Sequence, residues 1–289
     1  MYTTELETAC RLAREAGTVI LDHYSREIIA EEKLGVDNFY EPVTAADRAA
    51  SRVVVDGLRS AFHDDAVLSE EEADDPGHRL SRERAWIIDP IDGTAGFVKK
   101  DGDFGVQIGL TDRGRPVLGV VFLPYLDKIY FAAKGLGSFC ETKGERRRLE
   151  VSREAEFAEM KLAVTKNHMS ERMQRIVEEF GFAAEVRRGS VGLKIGLIAE
   201  RLCDIYIHPS PRTKVWDTCG PQVILEEAGG RMTDLFGEPL VYDAEDLQNH
   251  NGILATNGAA HDAAVERLDR LMREFGRVRI DVRQKASAS

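Results

Sequence analysis

The stretch "AWIIDPIDGT", residues 85–94, sets two carboxylates three positions apart at the end of an apolar run and follows them with glycine and threonine. Pro90 ends a strand at Asp89, because proline has no N–H to donate to a ladder, and Asp89 and Asp92 then share a tight turn. Gly93 lets the backbone come close to a ligand. The amides of Gly93 and Thr94, at the start of a following helix, make a cradle for phosphate. Two acids beside a phosphate repel it unless cations stand between them, and oxygen-only ligands select a hard ion, above all Mg²⁺. Taken alone, the same residues also read as an Asp-Pro turn with solvated acids. Three other segments bear on that choice. "LSEEE" brings Glu70 and Glu71 to the end of a second short strand, "EPVTAAD" brings Asp47, and "KVWDTCGP" brings Asp217 just ahead of a long helix. Carboxylates converging from four separate segments are how a multi-metal site is built.

The elements that must position these acids are legible in the periodicity. Residues 4–33 read as an amphipathic helix, with Leu6, Ala9, Ala13, Ala16 and Ile20 at helical spacing. A second helix runs from Ala45 through Leu58 with Thr44 as its N-cap. A short strand covers 66–72, and 79–84 is a loop or short helix. The runs "AWIID", "FGVQIGLT", "PVLGVVFLP" and "KIYFAA", punctuated by glycine and proline, read as an antiparallel sheet. Past Lys143 the texture becomes alternating strand and helix. Strands "KLAVTK" and "CDIYIHP" alternate with helices "MSERMQRIVEEFG", "SVGLKIGLIAER" and "DTCGPQVILEEAGG", an α/β pattern. A lobe boundary near residue 150 divides an N-terminal α+β lobe, 1–150, from a C-terminal α/β lobe, 151–289, and the tail "RQKASAS" reads as disordered.

A formal charge of −11, from 39 Lys and Arg against 50 Asp and Glu, argues against a nucleic-acid polymer as partner, since phosphate backbones want a basic face. It leaves room for a small anionic substrate if a metal supplies the positive charge. Cys10, Cys140, Cys203 and Cys219 have neither C-x-x-C nor zinc-finger spacing. The N-terminus carries acids and no long apolar run, so it is not a signal peptide, and no run approaches a membrane span. The expected location is the cytoplasm. Oligomeric state is not readable from these features.

Asp47, "SEEE", "WIIDPIDGTAGF" and "WDTCGPQVILEEAGG" occur in the order and spacing of the inositol monophosphatase superfamily, and the chain resembles that family from about residue 5 to 260. The resemblance implies a layered α/β/α/β/α sandwich and a Mg²⁺-dependent, lithium-sensitive phosphatase. It implies that Glu70, Asp89 and the Ile91 carbonyl bind one metal, and that Asp89, Asp92 and Asp217 bind a second. A third, looser metal would lean on Glu70. Thr94, paired with Asp47, would orient the attacking water, so Thr94, Asp47 and Glu70 are the implied catalytic groups. Glu71 is a nearby acid of lesser weight. Departures occur at the loop over 33–41, at Ser69, where inositol phosphatases have glycine, and at Ala95 and Gly96.

Within the superfamily, "VLSEEE", "FVKKDGDFGVQIGL" and "GSVGLKIGLIAE" resemble bacterial 3'(2'),5'-bisphosphate nucleotidases, which remove the 3'-phosphate of adenosine 3',5'-bisphosphate, a by-product of sulfate activation. On that resemblance the substrate contacts are Gly93, Thr94, Ser190, Lys194 and Asp217. Lys194 would hold the uncleaved phosphate, although a helix-surface lysine is the ordinary alternative. Lys214 has a similar but weaker role. His208 reads as a satisfied strand-end histidine. Two other readings stay open: the same chemistry on inositol monophosphate, sugar phosphates or NADP, and a non-catalytic regulator that kept the fold.

Overall fold

A computed structural model describes residues 2–34, 40–166 and 169–285. Helix α1, Thr3–Tyr24, buries Ala9, Leu12, Ala13, Ala16 and Ile20 along one stripe. It is shorter than the 4–33 expected. The stripe has no fully buried member after Ile20, and the Ser25 hydroxyl donates to the Asp22 carbonyl just past the final turn. The chain then pairs as an antiparallel hairpin, β1 (Ala30–Leu34) with β2 (Tyr40–Thr44). Of the expected loop over 33–41, residues 35–39 lie outside the described residues.

Helix α2, Ala45–Ala61, starts on Thr44 as expected. Strand β3 is Ala66–Ser69, so Glu70 and Glu71 follow it rather than belong to it. After α3 (Pro76–Ser81) come β4 (Arg84–Asp92) and the short α4 (Thr94–Val98). A meander follows: β5 (Gly105–Asp112), β6 (Arg115–Leu123), β7 (Lys128–Ala133), β8 (Gly137–Thr142) and β9 (Glu145–Arg148). The seven strands lie in sequence order; β3 runs parallel to β4 and every other pairing is antiparallel.

Strand β4 does not stop at Asp89. Asp89 pairs with Gln107 and Asp92 with Gly105, so the register slips by one residue across Pro90 and Ile91. A bulge takes up the residue that cannot donate, and it re-aims the flanking side chains.

The second sheet holds β10 (Lys161–Thr165), β11 (Ala184–Arg188), β12 (Ile205–His208), β13 (Arg231–Thr233) and β14 (Ile253–Thr256), in the order β11-β10-β12-β14-β13. Its helices are α5 (Glu171–Phe180), α6 (Val191–Ala199), α7 (Val215–Glu227) and α8 (His261–Glu274). Of the expected disordered tail, Arg283 to Lys285 belong to a final helical turn, α9 (Val282–Lys285), and residues 286–289 lie outside the described residues.

Strand alternation sorts the layers. Val120 and Phe122 of β6 face the core with α1 and α2, while Val121 and Leu123 face α6 and α7. In the second sheet Ala163 and Tyr206 join the α6–α7 core, and Leu162, Val164, Ile205 and Ile207 pack with α5 and α8. The result is the α/β/α/β/α sandwich. Helix α7 lies directly on the first sheet: a Cβ on Gly119 would stand 2.0 Å from the Gly220 carbonyl oxygen. That approach sets the start of α7 beside the bulged end of β4.

Candidate active site

The acids gather where elements begin or end. Asp47 and Asp217 each occupy the third position of a helix, α2 and α7, and each carboxylate accepts the N–H of its own N-cap residue. Asp47 Oδ2 takes Thr44 N at 2.7 Å and Asp217 Oδ2 takes Lys214 N at 2.7 Å. Asp217 therefore sits inside the first turn of α7 rather than ahead of it. This capping arrangement, favoured by the positive end of the helix dipole, leaves the second oxygen of each acid for other work. For Asp47, Oδ1 faces the Thr94 hydroxyl at 3.1 Å; the same hydroxyl lies 3.0 Å from the Ile91 carbonyl oxygen.

Asp89, Asp92 and Asp217 bring carboxylate oxygens within 4.8 Å of one another. Asp89 Oδ1 is buried with no hydrogen-bond partner among the described residues. An orphaned buried carboxylate oxygen among other acids is costly, and a hard divalent cation matches this all-oxygen donor set. Burial first, and then the charges of Glu70, Asp92, Asp217 and Asp47, raise the Asp89 pKa well above the usual carboxylate range. Asp217 is raised by burial and by Asp92. Asp47 is raised mainly by burial, against the hydrogen bonds from Thr44.

A cavity of about 180 Å³ opens over these groups, lined among others by Glu70, Asp89, Ile91, Gly93, Thr94 and Asp217. Gly93 is required where it stands: φ is +90°, and a Cβ would meet the Asp103 carbonyl oxygen at 2.6 Å. Glu70 is raised by burial, an effect countered by Lys33, whose Nζ lies 2.6 Å from Glu70 and 2.7 Å from Glu71.

Ser190 and Lys194, expected as substrate contacts, are buried and are not among the residues that line this cavity. All nine residues of α6 are buried, so a lysine on it has no path to water. Lys194 Nζ donates to the Gly189 carbonyl at 2.8 Å and lies 4.9 Å from the Tyr206 ring centroid. Burial lowers its pKa to about 8, although Asp92, Asp217 and Asp103 pull it upward. The Ser190 hydroxyl caps α6 and donates to Asp92 Oδ2. That oxygen also accepts Gly192 N at 2.8 Å and Gln107 Nε2. The start of α6 thus clamps an acid of the cluster. Sequence reasoning missed Gln107, although a lone amide within the apolar run "GVQIGL" was its signal. His208 ends β12 as expected, but its Nε2 is buried without a hydrogen-bond partner among the described residues, so it is not satisfied. No helix of the described residues is long and apolar enough to cross a membrane.

The inositol monophosphatase family model matches residues 1–273. The chain is 36% identical over 239 residues to the 3'(2'),5'-bisphosphate nucleotidase CysQ of Escherichia coli K12, covering 82% of this chain and 93% of that one. It is 37% identical over 237 residues to the CysQ of Salmonella typhimurium LT2, with the same coverage, 82% and 93%. Among solved structures, an inositol monophosphatase (IMPase) of Thermotoga maritima superposes with a TM-score of 0.80 at 27% identity, covering 95% of this chain and 100% of that one. CysQ of Bacteroides thetaiotaomicron gives 0.75 at 28%, covering 89% and 98%. The chain belongs to the inositol monophosphatase family.

Proposed function

We propose that this protein is a Mg²⁺-dependent phosphomonoesterase that removes the 3'-phosphate of adenosine 3',5'-bisphosphate by direct attack of water. The observation that carries the chemistry is the Asp89–Asp92–Asp217 cluster with its unpartnered Asp89 oxygen. The choice of substrate rests on the similarity to CysQ nucleotidases. Glu70, Asp89 and the Ile91 carbonyl would hold one Mg²⁺, and Asp89, Asp92 and Asp217 a second. Bound there, Mg²⁺ supplies positive charge for the phosphoryl oxygens and lowers the pKa of water.

The chain's own groups do the positioning. Gly93 admits the phosphate close to the backbone at the start of α4, where amides can meet its oxygens. The Thr94 oxygen accepts a hydrogen bond from the attacking water, and the Thr94 hydroxyl passes its own proton toward Asp47 Oδ1. Asp47 is held for this by the Thr44 N–H and hydroxyl on its other oxygen. The clamp of Gln107, Ser190 and Gly192 on Asp92 Oδ2 fixes which oxygen of Asp92 faces the cluster. Such an enzyme clears a by-product of sulfo-transfer and is inhibited by Li⁺.

Phosphate release with Mg²⁺ from adenosine 3',5'-bisphosphate, inositol 1-phosphate, fructose 1,6-bisphosphate and NADP is the test. The highest kcat/KM is expected on the adenosine bisphosphate, abolished by a chelator. Preference for the inositol ester would overturn the nucleotidase reading, and no release from any of the four would overturn the phosphatase reading as well.

A further inference from the structure

The family model ends its match at residue 273, and α8 ends at Glu274. The segment that follows is a strap tied down at three points. Arg277 donates to two main-chain carbonyls, Nη1 to Pro209 O and Nη2 to His250 O, the latter at 2.7 Å. Ile280 and Asn251 exchange two bonds: Ile280 N donates to Asn251 Oδ1 and Asn251 Nδ2 to Ile280 O, both at 2.9 Å. Arg283 pairs with Asp243 at 2.7 Å. Arg277 is half-buried, and burial lowers its pKa from the ordinary arginine value. A charge held in that setting needs its hydrogen bonds, and here they join two segments about forty residues apart in the sequence.

Those two segments meet at the entry to α7. Residues 209–214 lead into the helix, and residues 247–249 hold that lead-in by its main chain. Gln248 Nε2 donates to the Pro211 carbonyl at 2.7 Å, Asn249 N to Thr213 O at 2.9 Å, Asn249 Nδ2 to Lys214 O at 2.8 Å, and Val215 N to Leu247 O at 2.9 Å. Lys214 N in turn donates to Asp217 Oδ2 at 2.7 Å. The Thr213 carbonyl and the Lys214 N–H are the two ends of one planar peptide group. Asn249 holds one end and Asp217 accepts from the other, so a tilt of this peptide turns the carboxylate. An acid that ligates a metal depends on the groups that orient it. We propose that Arg277 is a positioning residue for Asp217: by tying residue 209 to residue 250 it sets the tilt of the Thr213–Lys214 peptide, and so the oxygen that Asp217 offers to Mg²⁺. The inference rests on the reading of Asp217 as a Mg²⁺ ligand and extends it to a part of the chain past the stretch that the family model matches.

The test measures Mg²⁺ affinity by calorimetry, and amide hydrogen exchange in the metal-free protein, for wild type, Arg277→Met, Asn249→Ala and the double variant. Asn249→Ala is expected to weaken Mg²⁺ binding by roughly 10-fold, the low end for groups that support a metal ligand, and Arg277→Met by roughly 3- to 10-fold. Arg277→Lys, which keeps a charged donor, should fall between Arg277→Met and wild type. In Arg277→Met the amides of Asn249 and Val215 should exchange faster while those of β5 and β6 keep their wild-type rates, a pattern that a global loss of stability does not produce. The double variant should bind Mg²⁺ about as well as Asn249→Ala alone, because both changes act through one peptide. Unchanged Mg²⁺ affinity in Arg277→Met, faster exchange throughout the protein, or additive losses in the double variant each overturn the proposal. Arg283→Gln, at the far end of the strap, should bind Mg²⁺ like wild type; a loss equal to that of Arg277→Met would assign the effect to the strap as a whole and overturn the role of Arg277. A wild type that binds no Mg²⁺ overturns the metal-dependent reading together with this inference, whereas wild-type Mg²⁺ binding in every variant overturns this inference alone.

Discussion

Lys194 and Lys214 both act on Asp217, and each lies about 5 Å from the centre of an aromatic ring, Tyr206 and Trp216 respectively. Their surroundings separate them. Lys194 is enclosed by an apolar helix packed between two sheets and gives its hydrogen bond to the Gly189 carbonyl. Lys214 is the N-cap of α7, is half-buried and lines the cavity. The positive charge of Lys194 faces Asp92, Asp217 and Asp103; that of Lys214 acts on Glu70 and Asp217. A lysine without access to solvent acts on the fold and on the acids it backs. A lysine on a cavity wall can act on a ligand. Identical residue type and a place near the start of a helix do not distinguish the two.

The most forceful way to test this contrast is to change the acids of the Asp89–Asp92–Asp217 cluster. Asp89→Asn is expected to lower kcat by about 10³-fold, the upper range for losing one electrostatic catalytic group. The metal-free protein should nevertheless melt higher. Asp89 has a folded-state pKa raised above its unfolded value, so its ionised form is a net cost at neutral pH, and the amide removes that cost. Ordinary turnover in the variant, or a lower metal-free Tm, would break the account of the cluster. Asp92 should behave differently. Its Oδ2 accepts three donors, so Asp92→Asn mispairs Gln107, Ser190 or Gly192 and should gain no metal-free stability.

Thr94→Ala is expected to slow turnover by about 10²-fold, the low end for positioning a proton transfer. Calorimetry should find Mg²⁺ affinity unchanged, because the hydroxyl faces Asp47 and Ile91 rather than the Asp89–Asp92–Asp217 cluster. A collapse of Mg²⁺ binding would move Thr94 into the metal site.

Lys194→Met sharpens the comparison directly. It leaves the Gly189 carbonyl without its donor, at a cost of about 1–3 kcal/mol. Each kcal/mol corresponds to a Tm fall of about 2–4 °C for a chain near this size. The ratio of kcat/KM on adenosine 3',5'-bisphosphate to that on adenosine 3'-monophosphate should stay at its wild-type value. A selective loss on the bisphosphate would return Lys194 to the substrate.

The smallest effect concerns His208, which stands near both basic segments. Burial, then the charges of Lys194 and Arg212, lower its pKa from 6.5 to about 3. Between those values the unfolded chain binds the proton and the folded chain does not, so this residue's contribution is present above 6.5 and lost as pH falls toward 3. Comparing Tm at neutral and mildly acidic pH should show a shallower acid decline in His208→Gln than in wild type. Parallel curves would mean that His208 does not titrate with unfolding.

Much of this protein was written locally in its sequence. The Thr44 cap with Asp47 three residues on, the apolar stripe of α1 and the alternation of the meander are short-range features, and each forms much as its own residues dictate. The family motif placed the acids on the right elements. Other outcomes depended on how distant layers meet. Proline ends an isolated strand, but β5 supplied a partner that absorbs Pro90 in a bulge. Where the helix was expected to run on to residue 33, the chain instead pairs as a hairpin in which Ala30 lies opposite Thr44, the N-cap of α2. Ser190 and Lys194 sit on a helix whose start can cap a phosphate or an acid. The close contact of Gly119 with Gly220 brings α7 down onto the sheet and sets Asp217 beside Asp92, while the packing of α6 turns the start of that helix onto Asp92. Arg212 and Lys214 reach the cavity because residues 248 and 249 hold their segment from outside. Periodicity and capping are energies of a few neighbouring residues, so a sequence states them. Which side of a wall a side chain occupies is an energy of layers brought together from separate parts of the chain, and only the packed structure decides it.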